Sequence, residues 1–356
     1  MTGIQRLTRF MLLACAPFLG IILFLFAFQP EMKAADFTTS QKVDFTMELQ
    51  TDEVGKKLIQ ASRDGVLIKS TIEKMYKQYS QTNTTVSSLL KLVKDQAGRP
   101  PLIFEKRVSR VLGKPIRQAS SDNIDVKLYT YWDAEFKGYA LKVDLKNSKA
   151  MNMVLGKDKL GGSETTLAAV KRYGAIAGIN AGGFADGHGK RYPTGNTISN
   201  SKFIFGFFEP NPKIAGSFVG LNKAGKLIGG RFQDEAQLTK LKPTFGASFE
   251  PVLMQNGKKL DIPSKWLNSP KRASRTVIGN FGNDQLIILV TNGANESGSS
   301  GATLPEMQNR LQQLGIHDAY NLDGGGSTTL VFNGQVINNP SDGRMRSLPT
   351  HFLFFK

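Results

Sequence analysis

The sequence predicts an α+β protein: a mixed β-sheet domain with a few helices, preceded by an N-terminal transmembrane helix and a helical spacer. Three observations predict it. The first is an uncharged apolar run over residues 10–28. The second is a polar, glycine-poor stretch that follows Pro30 and carries apolar residues at alternating spacings of four and three. The third is a change at about residue 121 to short β-branched and aromatic runs, punctuated by glycine and separated by two helical patterns. The expected divisions are 1–35 for a cytoplasmic stub and anchor, 36–120 for the spacer, and 121–356 for the main domain.

The anchor comes first. Its 19 apolar residues follow Arg6 and Arg9. That length is close to the roughly 20 residues that cross a bilayer, and the flanking arginines favour a cytoplasmic N-terminus. A cleaved signal peptide normally has an apolar region of only about 7–15 residues. The expectation is therefore an uncleaved, single-pass anchor at the cell membrane, with the C-terminal domain on the extracytoplasmic side. The single cysteine, Cys15, lies inside this run, so no intramolecular disulfide and no cysteine-based metal site can form.

In the spacer, Val54, Leu58, Ala61, Gly65, Ile68, Ile72, Met75 and Tyr79 fall on one heptad seam that runs on to Val93. That stripe fits either a stalk zipped to a second copy (a homo-oligomer through 54–93) or a helix folded back on its own chain. Arg99-Pro100-Pro101 is expected to stop the helix. Strands are expected from Val126 onward, at 139–145, 175–180, 203–208, 276–279 and 286–290. Helical patterns occupy 164–172 and 304–314. Thr303 serves the latter as N-cap, with Pro305 in the first turn, Glu306 at the third position and Gly315 as the stop.

The formal charge is +17 at pH 7 and is spread along the chain. Such a charge suits polyanionic neighbours in general. Without clustered Lys/Arg runs or an aromatic recognition motif, a nucleic-acid partner is excluded. Three histidines without ligand spacing exclude a zinc hydrolase, and the absence of Gly-x-Ser-x-Gly argues against an α/β-hydrolase.

Four segments carry chemistry. In Asn321-Leu322-Asp323-Gly324-Gly325-Gly326-Ser327, three glycines stand between an apolar approach and a strand. That fits either a tight hairpin capped by Asp323 or a backbone cradle for an anion. It is not a phosphate-binding P-loop, because no Lys-Ser/Thr follows. The strand ending at Asn180 enters a loop with Gly183, Asp186, His188 and Arg191. Arg275 precedes a strand and offers a fork for a phosphate or carboxylate. Glu296 lies in a Gly/Ser loop that leads to Thr303 and a helix N-terminus.

In this order the segments resemble the phosphodiester glycosidase family. The likeness runs over about 121–356: Asn180-Ala-Gly-Gly-Phe184, Arg275 before Ile278-Gly279, Gly301 with Thr303, Asn321 through Ser327, and Arg344 or Arg346 before the last strand. Two departures stand out. Asn292-Gly293-Ala294 replaces the family's Asp-Gly-Arg, and Ala181 replaces a glycine. The resemblance implies hydrolysis at a sugar anomeric carbon whose leaving group is a phosphodiester, in a cell-surface glycan or exopolysaccharide. It assigns Asp323 as base or nucleophile, and Asp186 or Glu296 as the second acid. Asn180 would orient the sugar. Arg275, Arg346 and the amides of Gly324, Gly325 and Gly326 would hold the phosphate, with Gly183, Thr303, Asn321 and Ser327 lining the site. No metal ligand and no cofactor is expected, although a divalent cation stays open. A non-catalytic receptor for anionic wall polymer or exopolysaccharide is the rival reading, supported by the missing Asp-Gly-Arg.

Overall fold

A computed structural model describes residues 50–133, 135–208, 215–293 and 300–356. The apolar run at 10–28 and Glu296 lie outside the described residues. Among the described residues no helix is long and apolar enough to cross a membrane. Two compact units divide between Ser88 and Leu89.

In the first unit the described chain is helical, part of α1 (Gln50–Leu112). The expected seam forms on it and is open to solvent: Val54, Leu58, Ile68, Ile72, Met75 and Tyr79 are each more than half exposed. The helix does not stop at Pro100-Pro101; α1 continues to Leu112. A proline inside a helix costs about 3 kcal/mol, and packing downstream offsets that. Within the second unit Val108 and Leu112 are buried among Tyr129, Phe281, Leu289 and Leu311, and the rings of Phe104 and Phe281 meet edge-on at 5.9 Å.

The second unit begins with β1 (Arg117–Ser120), β2 (Ile124–Trp132), β3 (Lys137–Leu145), β4 (Met151–Leu155), α2 (Thr166–Tyr173) and β5 (Ala177–Asn180). There follow β6 (Phe184–Gly187), β7 (Lys190–Pro193), β8 (Thr197–Ser199), β9 (Lys202–Phe205), β10 (Gly216–Asn222) and β11 (Leu227–Phe232). Next come α3 (Glu235–Thr239), β12 (Pro243–Ala247), β13 (Val252–Gln255), β14 (Lys258–Lys259), α4 (Ser264–Asn268), β15 (Thr276–Asn280) and β16 (Leu286–Thr291). The chain ends with α5 (Leu304–Leu314), β17 (Asp318–Leu322), β18 (Leu330–Phe332), β19 (Gln335–Val336) and β20 (Thr350–Phe354).

An eight-stranded sheet runs β1-β2-β3-β16-β15-β17-β13-β14, and two five-stranded sheets run β11-β10-β12-β8-β9 and β19-β18-β5-β20-β4. Helices and sheets thus combine as the α+β pattern predicts. The sheets are not mixed in direction, however: the pairings among the described strands are antiparallel. The connection through α5 explains the difference. It joins β16 to β17, but β15 lies between them and pairs antiparallel with both.

Period-two alternation sorts the large sheet's side chains into two cores. Ile124, Val126, Leu128, Leu286, Ile288 and Val290 face the other sheets. Tyr129, Tyr131, Ile287 and Leu289 face α5 and the end of α1. Both faces are covered, so β16 is apolar throughout rather than alternating. The α5 caps form as expected: Thr303 and Glu306 complete a reciprocal capping box, and Gly315 ends the helix at φ 74°.

Candidate active site

The C-terminal ends of β17, in the large sheet, and β5, in a smaller one, are joined by buried hydrogen bonds. Asp323 donates its amide to the Ala181 carbonyl at 3.2 Å, and Ala181 donates to the Thr350 carbonyl at 3.2 Å. Asn180 is fully buried between these ends. Its Nδ2 donates to the Asp323 carbonyl at 2.6 Å, while its Oδ1 accepts from the Thr276 hydroxyl at 2.9 Å and the Thr329 amide at 3.0 Å. This corrects its expected role. The amide is occupied by protein, so Asn180 fixes where Asp323 stands rather than orienting a sugar.

Asp323 is the centre of what this frame presents. Its Oδ2 is shut off from water and has no hydrogen-bond partner. Burial pushes the carboxyl pKa up to about 6; Ser327, the Arg346 charge, the Gly324 amide and the Arg191 charge counter this in part. Ser327 stands beside the carboxylate, yet its own buried Oγ completes no geometrically sound hydrogen bond. Asn321 Oδ1 and Thr328 Oγ1 are likewise buried and unpartnered. Buried polar atoms are nearly always satisfied. A cluster of exceptions within eight residues of chain marks a place built for a ligand or for water.

The glycine turn serves that place only in part as a cradle. Gly325 turns at φ 61°, but its amide donates to the Ser274 carbonyl at 2.7 Å and its carbonyl accepts from Ser274 Oγ at 2.6 Å. Its amide is therefore not available to a phosphate. At Gly326 a Cβ would sit 2.0 Å from Asp342 Oδ2, so only glycine lets that carboxylate approach. Asp342 in turn holds Arg346 through two hydrogen bonds, at 2.5 and 3.1 Å. The Arg346 charge acts on the Asp323 carboxyl, and Arg346 brings the Asp342 carboxylate with it.

Several other expectations need correction. Arg275 is only 3% exposed. Its guanidinium donates to the carbonyls of Ala302, Pro270 and Lys271 at 3.0, 2.8 and 3.3 Å, and burial lowers its pKa to about 10. That fork staples two loops together instead of gripping a phosphate. Asp186 faces Arg191 across the β6–β7 hairpin and receives two hydrogen bonds from it, at 2.6 and 2.8 Å. The Arg191 pairing holds its pKa below the usual carboxylate range; a carboxylate so stabilised is a poor proton donor. Thr303 spends its hydroxyl on the helix cap. The Gly183 amide donates to the Ser248 carbonyl at 3.1 Å. Asn321 Nδ2 donates to the Glu250 carbonyl at 2.8 Å, leaving only its Oδ1 open.

Two residues near Asp323 escaped sequence reasoning. Asp342 reads as half of an Asp-Gly turn, and Arg191 as one charge among several in a loop. Neither carries a local signal, because the fold alone brings them to Asp323.

A family model described as phosphodiester glycosidase matches residues 173–355. Mouse N-acetylglucosamine-1-phosphodiester alpha-N-acetylglucosaminidase is 27% identical over 164 residues, covering 42% of this chain and 30% of the mouse protein. The human enzyme of that name is 40% identical over 70 residues, 20% of this chain and 13% of its own length. The chain therefore matches less than a third of these curated relatives. In fold it is similar to the zebrafish catalytic domain, auto-inhibited by its pro-peptide, with a TM-score of 0.54 and 19% identity over 68% of this chain and 86% of that one. The family match covers just over half of the sequence and includes Asn180, Asp323, the glycine turn and Arg346; the chain belongs to the phosphodiester glycosidase family.

Proposed function

We propose that this chain hydrolyses a sugar-1-phosphodiester bond in a cell-surface glycan or exopolysaccharide, with its catalytic domain held outside the cytoplasmic membrane. The observation that carries the proposal is Asp323: a half-buried carboxyl whose Oδ2 is buried and unpartnered, its pKa pushed up to about 6 by loss of water. At neutral pH most of it is ionised, yet it takes up a proton readily, as a general base must. Water attacks the anomeric carbon and gives its proton to Asp323 as the new C–O bond forms. The bond to the phosphate oxygen breaks, and the leaving phosphate monoester keeps the electron pair. A phosphate is already a good leaving group, so the main demand is charge stabilisation. Arg346 and Arg191, the two cations that act on Asp323, are suited to it. No cofactor is invoked.

The extracytoplasmic placement rests on the apolar run at 10–28 with its flanking arginines. The exposed seam on α1 supports a second proposal, self-association through 54–93. The full chain, assayed on a panel of sugar-1-phosphodiesters beside Asp323→Asn, should release reducing sugar and phosphate monoester only in the wild type. Saturable binding without release by the wild type would replace the hydrolase with a receptor for anionic polymer. A reporter fused at the C-terminus should be active outside the membrane; cytoplasmic activity would overturn the placement. Sedimentation of the wild type and Met75→Glu should show the variant dissociating if the seam is used.

A further inference from the structure

On the sheet β11-β10-β12-β8-β9 a hollow of about 500 Å³ opens between β9, the β10–β11 turn and α3, with Lys202, Lys223 and Lys242 in its walls. None of its walls belongs to the Asp323 site. We propose that it is a docking surface for an anionic lipid bilayer, its lysines taking headgroup phosphates. The proposal is independent of the hydrolase reading, because it concerns where the domain rests and not what it cleaves.

Residues far apart in the sequence supply the charge, and the fold gathers them. Asn222 pairs with Pro243 across β10 and β12, which brings the adjoining residues, Lys223 and Lys242, to one end of the sheet. The Ser201 amide donates to the Thr244 carbonyl at 2.7 Å, which brings Lys202 to that end as well. All three lysines are exposed. Lys226, in the same turn as Lys223, pairs with Asp284 at 2.8 Å. Among the described residues, Lys202, Lys223 and Lys242 form no ion pair. Glu235, the one carboxylate in the walls, stands in the first turn of α3 and bonds none of them. Like charges brought together without counterions repel and cost the fold stability. An external anion relieves that cost.

Apolar groups beside the lysines decide which anion fits. Ile198 and Pro243 are buried in the hollow and Phe203 is half-buried there. Phe203 lies on β9, the outer strand of its sheet. The chain runs on from it through Ile204 and Phe205, both half-buried, to Phe207, which is 69% exposed. A phenylalanine-rich outer edge is a liability in water. A soluble polyanion would meet the lysines and leave these rings wet. An anionic bilayer uses both, since its phosphates meet the ammoniums and its acyl boundary takes the rings.

Cys15 is the only cysteine, so a full-length Cys15→Ser/Thr239→Cys chain carries a single dye in the wall of the hollow. The Thr239 hydroxyl bonds only the nearby carbonyls of Glu235 and Ala236, so little is lost there. An environment-sensitive dye at this position reads the hollow itself, independently of any membrane contact by residues 10–28. Its emission should shift to the blue, and be quenched by spin-labelled lipid, with vesicles of phosphatidylcholine and phosphatidylglycerol but not with phosphatidylcholine alone. Each lysine near an anionic surface contributes about fivefold, so Lys202→Gln/Lys223→Gln/Lys242→Gln should weaken docking about 100-fold. Thermal melting checks that this variant is folded. On the parent chain, about 1 M salt, which shortens screening to about 3 Å, should release the dye as well. The proposal falls if the dye ignores phosphatidylglycerol, answers both vesicles alike, or docks as tightly in the triple variant. A dye that answers soluble inorganic polyphosphate but not vesicles also overturns it, in favour of a polyanion.

Discussion

Replacing Asp323 with asparagine should destroy activity and make the protein more stable. The carboxyl pKa stands at about 6 rather than the ordinary 3.8, mainly because burial penalises the charged form. At about 1.36 kcal/mol per pKa unit, ionising this group costs the native state roughly 3 kcal/mol; partial access to water brings that nearer about 2 kcal/mol. The direction with pH follows from linkage. A group whose folded-state pKa is raised adds stability that is fully present below about pH 4 and lost as pH rises through about 6. At pH 7 the whole penalty applies, and asparagine, which carries no charge, removes it. For a unit of this size the gain is about 4–8 °C in melting temperature at pH 7, shrinking toward zero at pH 4. Turnover should fall by about 10²–10⁴-fold, and wild-type kcat should decline as pH drops through about 6. Calorimetry of both proteins from pH 4 to 7, beside initial rates on a sugar-1-phosphodiester, reads every part of this. An Asp323→Asn protein that melts lower than wild type at pH 7, or that keeps near-normal turnover, refutes the reasoning.

Other substitutions separate frame from chemistry. Asn180→Ala removes a buried amide that makes three hydrogen bonds and should cost about 2–4 kcal/mol; urea unfolding measures it, and a raised KM with unchanged stability would restore the sugar-orienting role. Gly326→Ala drives a methyl into the Asp342 carboxylate. It should cost about 1–3 kcal/mol and lower kcat by displacing Arg346, both checked against the parent by melting and rate assays. Asp186→Asn loosens Arg191 but removes no proton donor, so kcat should stay within a few-fold of wild type and its pH profile should not move. Abolished turnover there would reinstate Asp186 as an acid.

Much of the fold was legible because its signals are local. The capping box at Thr303 and Glu306 and the glycine stop at Gly315 are written within a dozen residues and form as read. The apolar runs of β15 and β16 could hardly lie anywhere but between two covered faces. Pro100-Pro101 misled because a local penalty was weighed without the packing of Val108 and Leu112 that outweighs it. The Asp186–Arg191 pair was legible in principle. Opposite charges flanking a Gly-His-Gly turn face each other across a hairpin, and cross-strand partners of opposite sign attract.

The site divides along the same line. Asp323 and its glycines announced themselves, since only a turn or a close approach justifies three glycines before a strand. The partners did not, because an arginine's destination is fixed by whatever carbonyls the fold brings within reach. Arg275 looked like a free fork, yet Pro270, Lys271 and Ala302 had already claimed it. Arg346 is exposed enough to turn toward a ligand, its side chain being 40% accessible and, among the described residues, paired with Asp342. A buried arginine bonded to carbonyls is a strut, whereas a half-exposed one paired with a carboxylate can exchange that partner for a phosphate at little cost. On this ground we propose that, of the two arginines expected to hold the phosphate, Arg346 keeps the role and Arg275 does not. Arg346→Lys, which keeps the charge but loses the fork, should therefore raise KM for the phosphodiester several-fold. Arg275→Lys should instead lower the melting temperature, and the opposite pairing of effects would return the role to Arg275.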